Sequence, residues 1–211
     1  MPRNPLIAVA VLALAALLLA CGDDGEGETT GPETTNGNGR SDAADVDRFL
    51  MRKGEEPGFR PDGDASTVVG VDAFANGPEL SRADAQQLRE NGFISFTTRR
   101  TLAGGDVAAG VSEVLLFATP EGARNWITYE LRARTINARL PKTKIRRFTV
   151  PGVPGARGWT GSDLHGNPIG TAQWVQGRCN LVLVSEGEVP FVEALSTGAR
   201  AIYERTGGDC P

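Results

Sequence analysis

The first 44 residues have little capacity to join a folded core, and this constrains the whole chain more than any other feature. Leu6 to Ala20 form an unbroken apolar run preceded by Arg3. Gly22 to Ala44 then change to Gly, Thr, Asn, Asp and Glu with almost no large apolar side chain, too little to offset the entropy of ordering. The stretch able to build a core is therefore Asp45 to Pro211, an ordinary size for one domain, which can bury about 70% of its unfolded surface. No second break in composition divides it.

An apolar run of about 15 residues is short for a membrane span, which needs about 20, and fits the core of a secretory signal. It ends at Leu18-Leu19-Ala20-Cys21 and is followed by Gly22-Asp23-Asp24. This segment resembles a bacterial lipoprotein signal. The resemblance implies removal of residues 1–20, lipidation of the Cys21 thiol, and a flexible acidic, Thr-rich tether over residues 21–44. Membrane lipid attached through Cys21 would hold the protein on the extracytoplasmic face of the cell membrane. Two acyl chains anchor stably where a single chain holds only marginally. A Gly-rich coil of about 23 residues has a root-mean-square span of about 25–30 Å, enough to stand the body of the protein clear of the lipid. The formal net charge is −4, and loss of Arg3 makes it one unit more negative. Nucleic acid is thus excluded as a partner class.

Within 45–211, local signals place most elements. Val46 to Met51 reads as a short amphipathic outer arm, and Pro57-Gly58 as a turn. Ser81 opens a helix to Glu90, with Asp84 completing a capping box and Asn91-Gly92 as the stop. Phe93 to Thr98 and Val111 to Thr119 read as a hairpin around Gly104-Gly105. Thr119 as N-cap, Pro120 at the first position and Glu121 at the positive end of the dipole start the best-marked helix. Its stripe Ala123, Trp126, Ile127 and Leu131 runs toward Ala138, and Pro141 ends it. Lys144 to Val150 is a strand closed by Pro151-Gly152-Val153-Pro154-Gly155. Ile169 to Gln176 and Cys179 to Ser185 form a second hairpin about Gly177, whose run Leu181-Val182-Leu183-Val184 lacks alternation and so suits a central strand covered on both faces. A last helix follows Pro190, with the stripe Phe191, Leu195, Ala199 and Ile202, and ends at Gly207-Gly208. This order predicts an α+β fold, a largely antiparallel sheet with helices packed on its faces.

With Cys21 taken by lipid, Cys179 and Cys210 remain, in an exported chain where disulfides persist. A strand from Cys179 climbs about 23 Å and the last helix returns about 24 Å, which brings the chain end back beside Cys179. The two are expected to pair. Two free thiols or a metal pair would be the alternative, but no Cys or His stands near them in sequence, and neither metal nor cofactor is expected.

The catalytic motifs in the chain are incomplete. His165, the only histidine, lies in a polar loop with Ser162 and Asp163. These are the residue types of a hydrolytic triad, and an envelope hydrolase built on them is the alternative to a non-enzymatic role. Gly-x-Ser-x-Gly is missing, and side chains within one short turn seldom reach triad geometry. Gly105 to Ser112 mimics a phosphate loop with Val111 at the lysine position, and Asp62, Asp64 and Ser66 mimic a calcium loop that lacks its glycine and glutamate. Positive charge is the stronger signal. Arg132, Arg139, Lys144 and Arg146 lie in a basic stretch, from Arg124 to Arg147, that contains the single acid Glu130. Arg132 and Arg139 would share a helix face able to meet an anionic headgroup, an envelope polymer or an acidic partner protein. A solvated helix face is the competing reading.

Leu115-Leu116-Phe117-Ala118-Thr119-Pro120-Glu121-Gly122-Ala123, then Val153-Pro154-Gly155-Ala156 with Trp159, then Gly177-Arg178 before an apolar strand, resemble actinobacterial secreted lipoprotein domains of the PsbP/Mog1-like type. Similar modules form extracellular sensor domains of membrane serine/threonine kinases. The resemblance spans about Phe93 to Cys210. It implies an antiparallel sheet between helices and a non-enzymatic binding or scaffolding role. The chain as a whole reads as a lipid-anchored extracytoplasmic binding or structural protein, with a small hydrophobic ligand or an envelope component as the partner class.

Overall fold

In a computed structural model of the chain, the residues described are 45–75, 80–103, 109–132, 144–162, 166–187, 191–208 and 210. Seven strands form one antiparallel sheet: β1 (Phe59–Val69), β2 (Phe93–Ala103), β3 (Ala109–Phe117), β4 (Arg146–Thr149), β5 (Arg157–Ser162), β6 (Pro168–Gln176) and β7 (Cys179–Glu186). Their spatial order is β1-β2-β3-β7-β6-β5-β4. The sheet is thus two meanders, β1 to β3 and β4 to β7, joined where β3 pairs antiparallel with β7. Among the described residues the helices are α1 (Val71–Ala75), α2 (Arg82–Glu90), α3 (Pro120–Glu130) and α4 (Phe191–Thr206), with a 3₁₀ turn at Val46–Phe49.

Two cores sandwich the sheet, and strand alternation assigns residues to them. Val114 and Leu116 of β3 and Leu181 and Leu183 of β7 face α4, meeting Leu195, Ala199 and Ile202. Val111, Leu115, Val182 and Val184 face the other way, toward Ala123 and Trp126 of α3 and Leu88 of α2. The uninterrupted run Leu181 to Val184 therefore reflects a strand buried on both faces.

Both helices with clear start signals begin where the sequence predicts. The Ser81 hydroxyl accepts from Asp84 N–H while the Asp84 carboxylate accepts from Ser81 N–H. The Thr119 hydroxyl accepts from Gly122 N–H at 3.1 Å, a cap worth about 1 kcal/mol. Gly177 turns the β6–β7 hairpin at φ 51°, and a Cβ there would sit 2.6 Å from the Cys210 carbonyl oxygen, so the chain end lies directly over this turn. Cys179 and Cys210 accordingly stand with Cα atoms 5.7 Å apart, within disulfide reach.

Four expectations change. Val46 to Met51 is no outer arm: Val46, Phe49, Leu50 and Met51 are fully buried beneath α4 and β3. The reason is that its backbone polar groups find partners inside. Ser112 Oγ accepts from Met51 N–H at 2.9 Å, and Arg205 donates to the carbonyls of Arg48 and Leu50. α3 stops at Glu130 instead of running toward Ala138: after the helical bond from Leu131 N–H to Ile127 O, the Arg132 N–H closes a tighter turn on Tyr129 O, and the Leu131 carbonyl takes a bond from Arg147. β1 runs through the calcium-loop mimic, its register shifting between Asp62 and Ser66. β5 forms across Arg157–Ser162, a stretch with no strand signal beyond Trp159. The Gly104-Gly105 turn lies outside the described residues.

Candidate functional site

The β4–β5 hairpin sits at one edge of the sheet and carries the basic residues. Its register sets Arg147 across from Trp159 and Thr149 across from Arg157. All four belong to the face that carries α3, since Trp159 packs in that core and side chains two apart share a face. Arg147 and Arg157 are thus diagonal neighbours, with backbones about 7–8 Å apart. Together with Leu131, Phe148, Thr149, Gly158 and Trp159 they line a hollow of about 410 Å³.

Three contacts shape it. Arg147 Nη2 donates to the Leu131 carbonyl at 3.1 Å, fixing the guanidinium beside the end of α3. Gly158 makes room for Phe148, whose ring occupies the space that a Cβ at Gly158 would need. Trp159 is 1% exposed, and among the described residues no acceptor reaches its indole N–H. Charge is unbalanced here. The ion pairs among the described residues are Arg89 with Asp72, Arg99 with Asp47 and Arg205 with Glu55, all elsewhere. Arg147 and Arg157, neither of which makes an ion pair among the described residues, therefore form a cationic pair suited to an anionic group held between two guanidinium forks.

On the opposite face of the same edge lies a groove of about 590 Å³ between α4 and the β4–β5 hairpin. Pro151, Phe191 and Val192 supply apolar walls, and Thr160, Ser196 and Arg200 add polar points. Val192 is 49% exposed, and with Val69 it is one of two exposed large hydrophobic side chains among the described residues. Thr149 belongs to the walls of both cavities.

The sequence-predicted basic residues are only partly brought together. Arg132 is exposed in the turn after α3, one residue past the carbonyl that Arg147 holds. It lies past the end of α3, and Arg139, with which it was to share a helix face, lies outside the described residues. Lys144 is exposed just ahead of β4. Arg146 is exposed on β4 but alternates to the α4 face, opposite Thr160. Arg157 was missed. Its signal was the period-two pattern Arg157-Gly158-Trp159 after the Pro-Gly turns. Of the hydrolytic alternative, Ser162 is the last residue of β5, while Asp163 and His165 lie outside the described residues, as does Cys21.

Other buried polar groups serve the frame. Glu130 accepts from Gln173 Nε2, which also donates to Asn180 Oδ1 at 2.9 Å, tying α3 to β6 and β7. Tyr129 donates to Asp84 at 2.7 Å, joining α3 to α2. Glu56 lies beneath α4 and accepts from Ser185 Oγ at 2.6 Å. Burial pushes its carboxyl up to about 7 from an ordinary 4.5, with the Ser185 hydrogen bond opposing the shift. Among the described residues no group of three or more metal-ligating side chains converges, and no helix is long and apolar enough to cross a membrane.

No protein-family model matches the chain, and no curated protein sequence matches it. Among solved structures, the extracellular domain of PknH from Mycobacterium tuberculosis is similar, with a TM-score of 0.51 at 14% identity, covering 75% of this chain and 93% of that domain. At that identity the likeness is one of fold.

Proposed function

We propose that the protein is a lipid-anchored, extracytoplasmic binding module of the cell envelope, non-enzymatic, which holds an anionic envelope component at the Arg147 and Arg157 hollow. The observation that carries this reading is the pair of guanidiniums on one face of an edge hairpin, neither of them in an ion pair among the described residues. Support for the location comes from the lipoprotein-like segment ending at Cys21 and from a fold shared with an extracellular domain. Arg132, next in the chain to Leu131, and Lys144, just ahead of β4, are exposed and add to the positive charge of this segment. The kinship with PsbP/Mog1-like secreted domains belongs to this proposal. The hydrolase alternative draws no support from the described residues, which include only Ser162 of its three members.

Titration of the full chain in detergent with inorganic polyphosphate tests the site. The double variant Arg147→Gln, Arg157→Gln is expected to lose at least tenfold in affinity and to flatten the salt dependence of binding, because fewer counterions are released. Unchanged binding would remove the hollow from the proposal.

A further inference from the structure

We infer that the outer edge of β4 is a docking strand for an extended segment of an acidic partner protein, in which acidic and apolar side chains alternate. This rests on the anion-binding reading above and names the class of ligand.

β4 is the terminal strand of the sheet, and among the described residues nothing pairs with its outer side. Arg146, Arg147 and Thr149 are exposed along it. An edge of this kind offers unpaired amides and carbonyls to an incoming strand, whose successive side chains then fall on opposite faces of the sheet. The two cavities flank this edge, one on each face, and share Thr149. A strand added to β4 would therefore send every second side chain toward Arg147 and Arg157, and the side chains between them toward Pro151, Phe191 and Val192. Main-chain bonds supply affinity in this mode, and alternate pockets supply specificity.

Charge and chain chemistry select the occupant. A second copy presenting its own β4 would set Arg146 and Arg147 against like charges, which repels edge-to-edge pairing. The opposite edge, β1, is a poor donor strand, because Pro61 lacks an N–H and the register shifts between Asp62 and Ser66. A polyanion without amides would satisfy the guanidiniums alone. An acidic strand with apolar alternate positions matches the backbone edge and both cavities.

The test uses the full chain in detergent and a fluorescein-labelled eight-residue synthetic peptide alternating Glu and Leu. Two further peptides are N-methylated, one at its Glu amides and the other at its Leu amides. Only alternate amides of an added strand face the sheet, so one methylated peptide should lose at least tenfold in affinity while the other stays within twofold. The variant Arg147→Glu, Arg157→Glu should also lose at least tenfold. Equal affinities of the two methylated peptides, or equal binding of a block Glu-Leu peptide of the same composition, would overturn the docking strand. If polyphosphate binds through Arg147 and Arg157 while the alternating peptide does not, the docking strand falls and the anion site stands. If neither probe binds, both fall.

Discussion

Arg147 of the edge strand donates to the carbonyl oxygen of Leu131 at 3.1 Å, so a residue of β4 closes the end of α3. One guanidinium therefore has two jobs: it terminates a helix and forms half of the cationic hollow.

Separating these jobs gives a first prediction. Arg147→Met is expected to cost about 1 kcal/mol or less, since the bond is solvent-exposed, and to raise amide exchange over the last turn of α3. Arg157→Met, which removes the other half of the hollow without touching α3, should leave that exchange unchanged. Hydrogen-exchange mass spectrometry reads both variants.

Glu56 makes stability fall as pH rises. Its carboxyl titrates near 7 in the folded protein against an ordinary 4.5, so the folded state binds the extra proton between those values. The stability it contributes is fully present below about pH 4.5 and is lost as pH climbs through 7, by about 3 kcal/mol. Glu56→Gln mimics the protonated acid, so it should raise the melting temperature at pH 8 and change it little at pH 4.5. Equal shifts at both pH values would contradict the assignment.

The Cys179 and Cys210 pair closes a loop over a sequence separation of 31. The chain-entropy model gives such a link about 3–4 kcal/mol. Reductant, or the variant Cys179→Ala with Cys210→Ala, should lower the unfolding free energy from denaturant titration by a matching amount, and reduction should have no further effect on the double variant. Peptide mass mapping without reductant should recover the two cysteines in one linked fragment.

The proposed lipid attachment would depend on one sulfur, that of Cys21. A palmitate analogue fed to cells should label the wild-type chain and not Cys21→Ala, and the variant should leave the membrane fraction. Labelling that survives the substitution would remove Cys21 as the anchor.

Chemistry contained within a few residues was legible in the sequence. Ser81 with Asp84, and Thr119 with Pro120, announce helix starts because capping is a matter of three or four adjacent residues. Gly177 marks its hairpin because a positive φ favours glycine. The apolar run at Leu181 identified a strand covered twice, and the two cysteines were already implied as partners by the lengths of the strand and helix between them. An α+β architecture followed from the order of such signals.

Tertiary structure decided what depends on a distant partner. Val46 to Met51 became core because Ser112 and Arg205, far away in sequence, satisfy its backbone. α3 ended at Glu130, beside a carbonyl that β4 caps. β1 and β5, polar and glycine-containing, became strands only through pairing with β2 and with β6. The basic residues, adjacent along the chain, were sorted by the β4 register onto opposite faces, so Arg146 parts from Arg147, and Arg157 joins it from the neighbouring strand. Caps and turns act across a single turn of backbone, whereas register is a choice made between segments, which is why the cationic pair could be seen only once the strands were laid side by side.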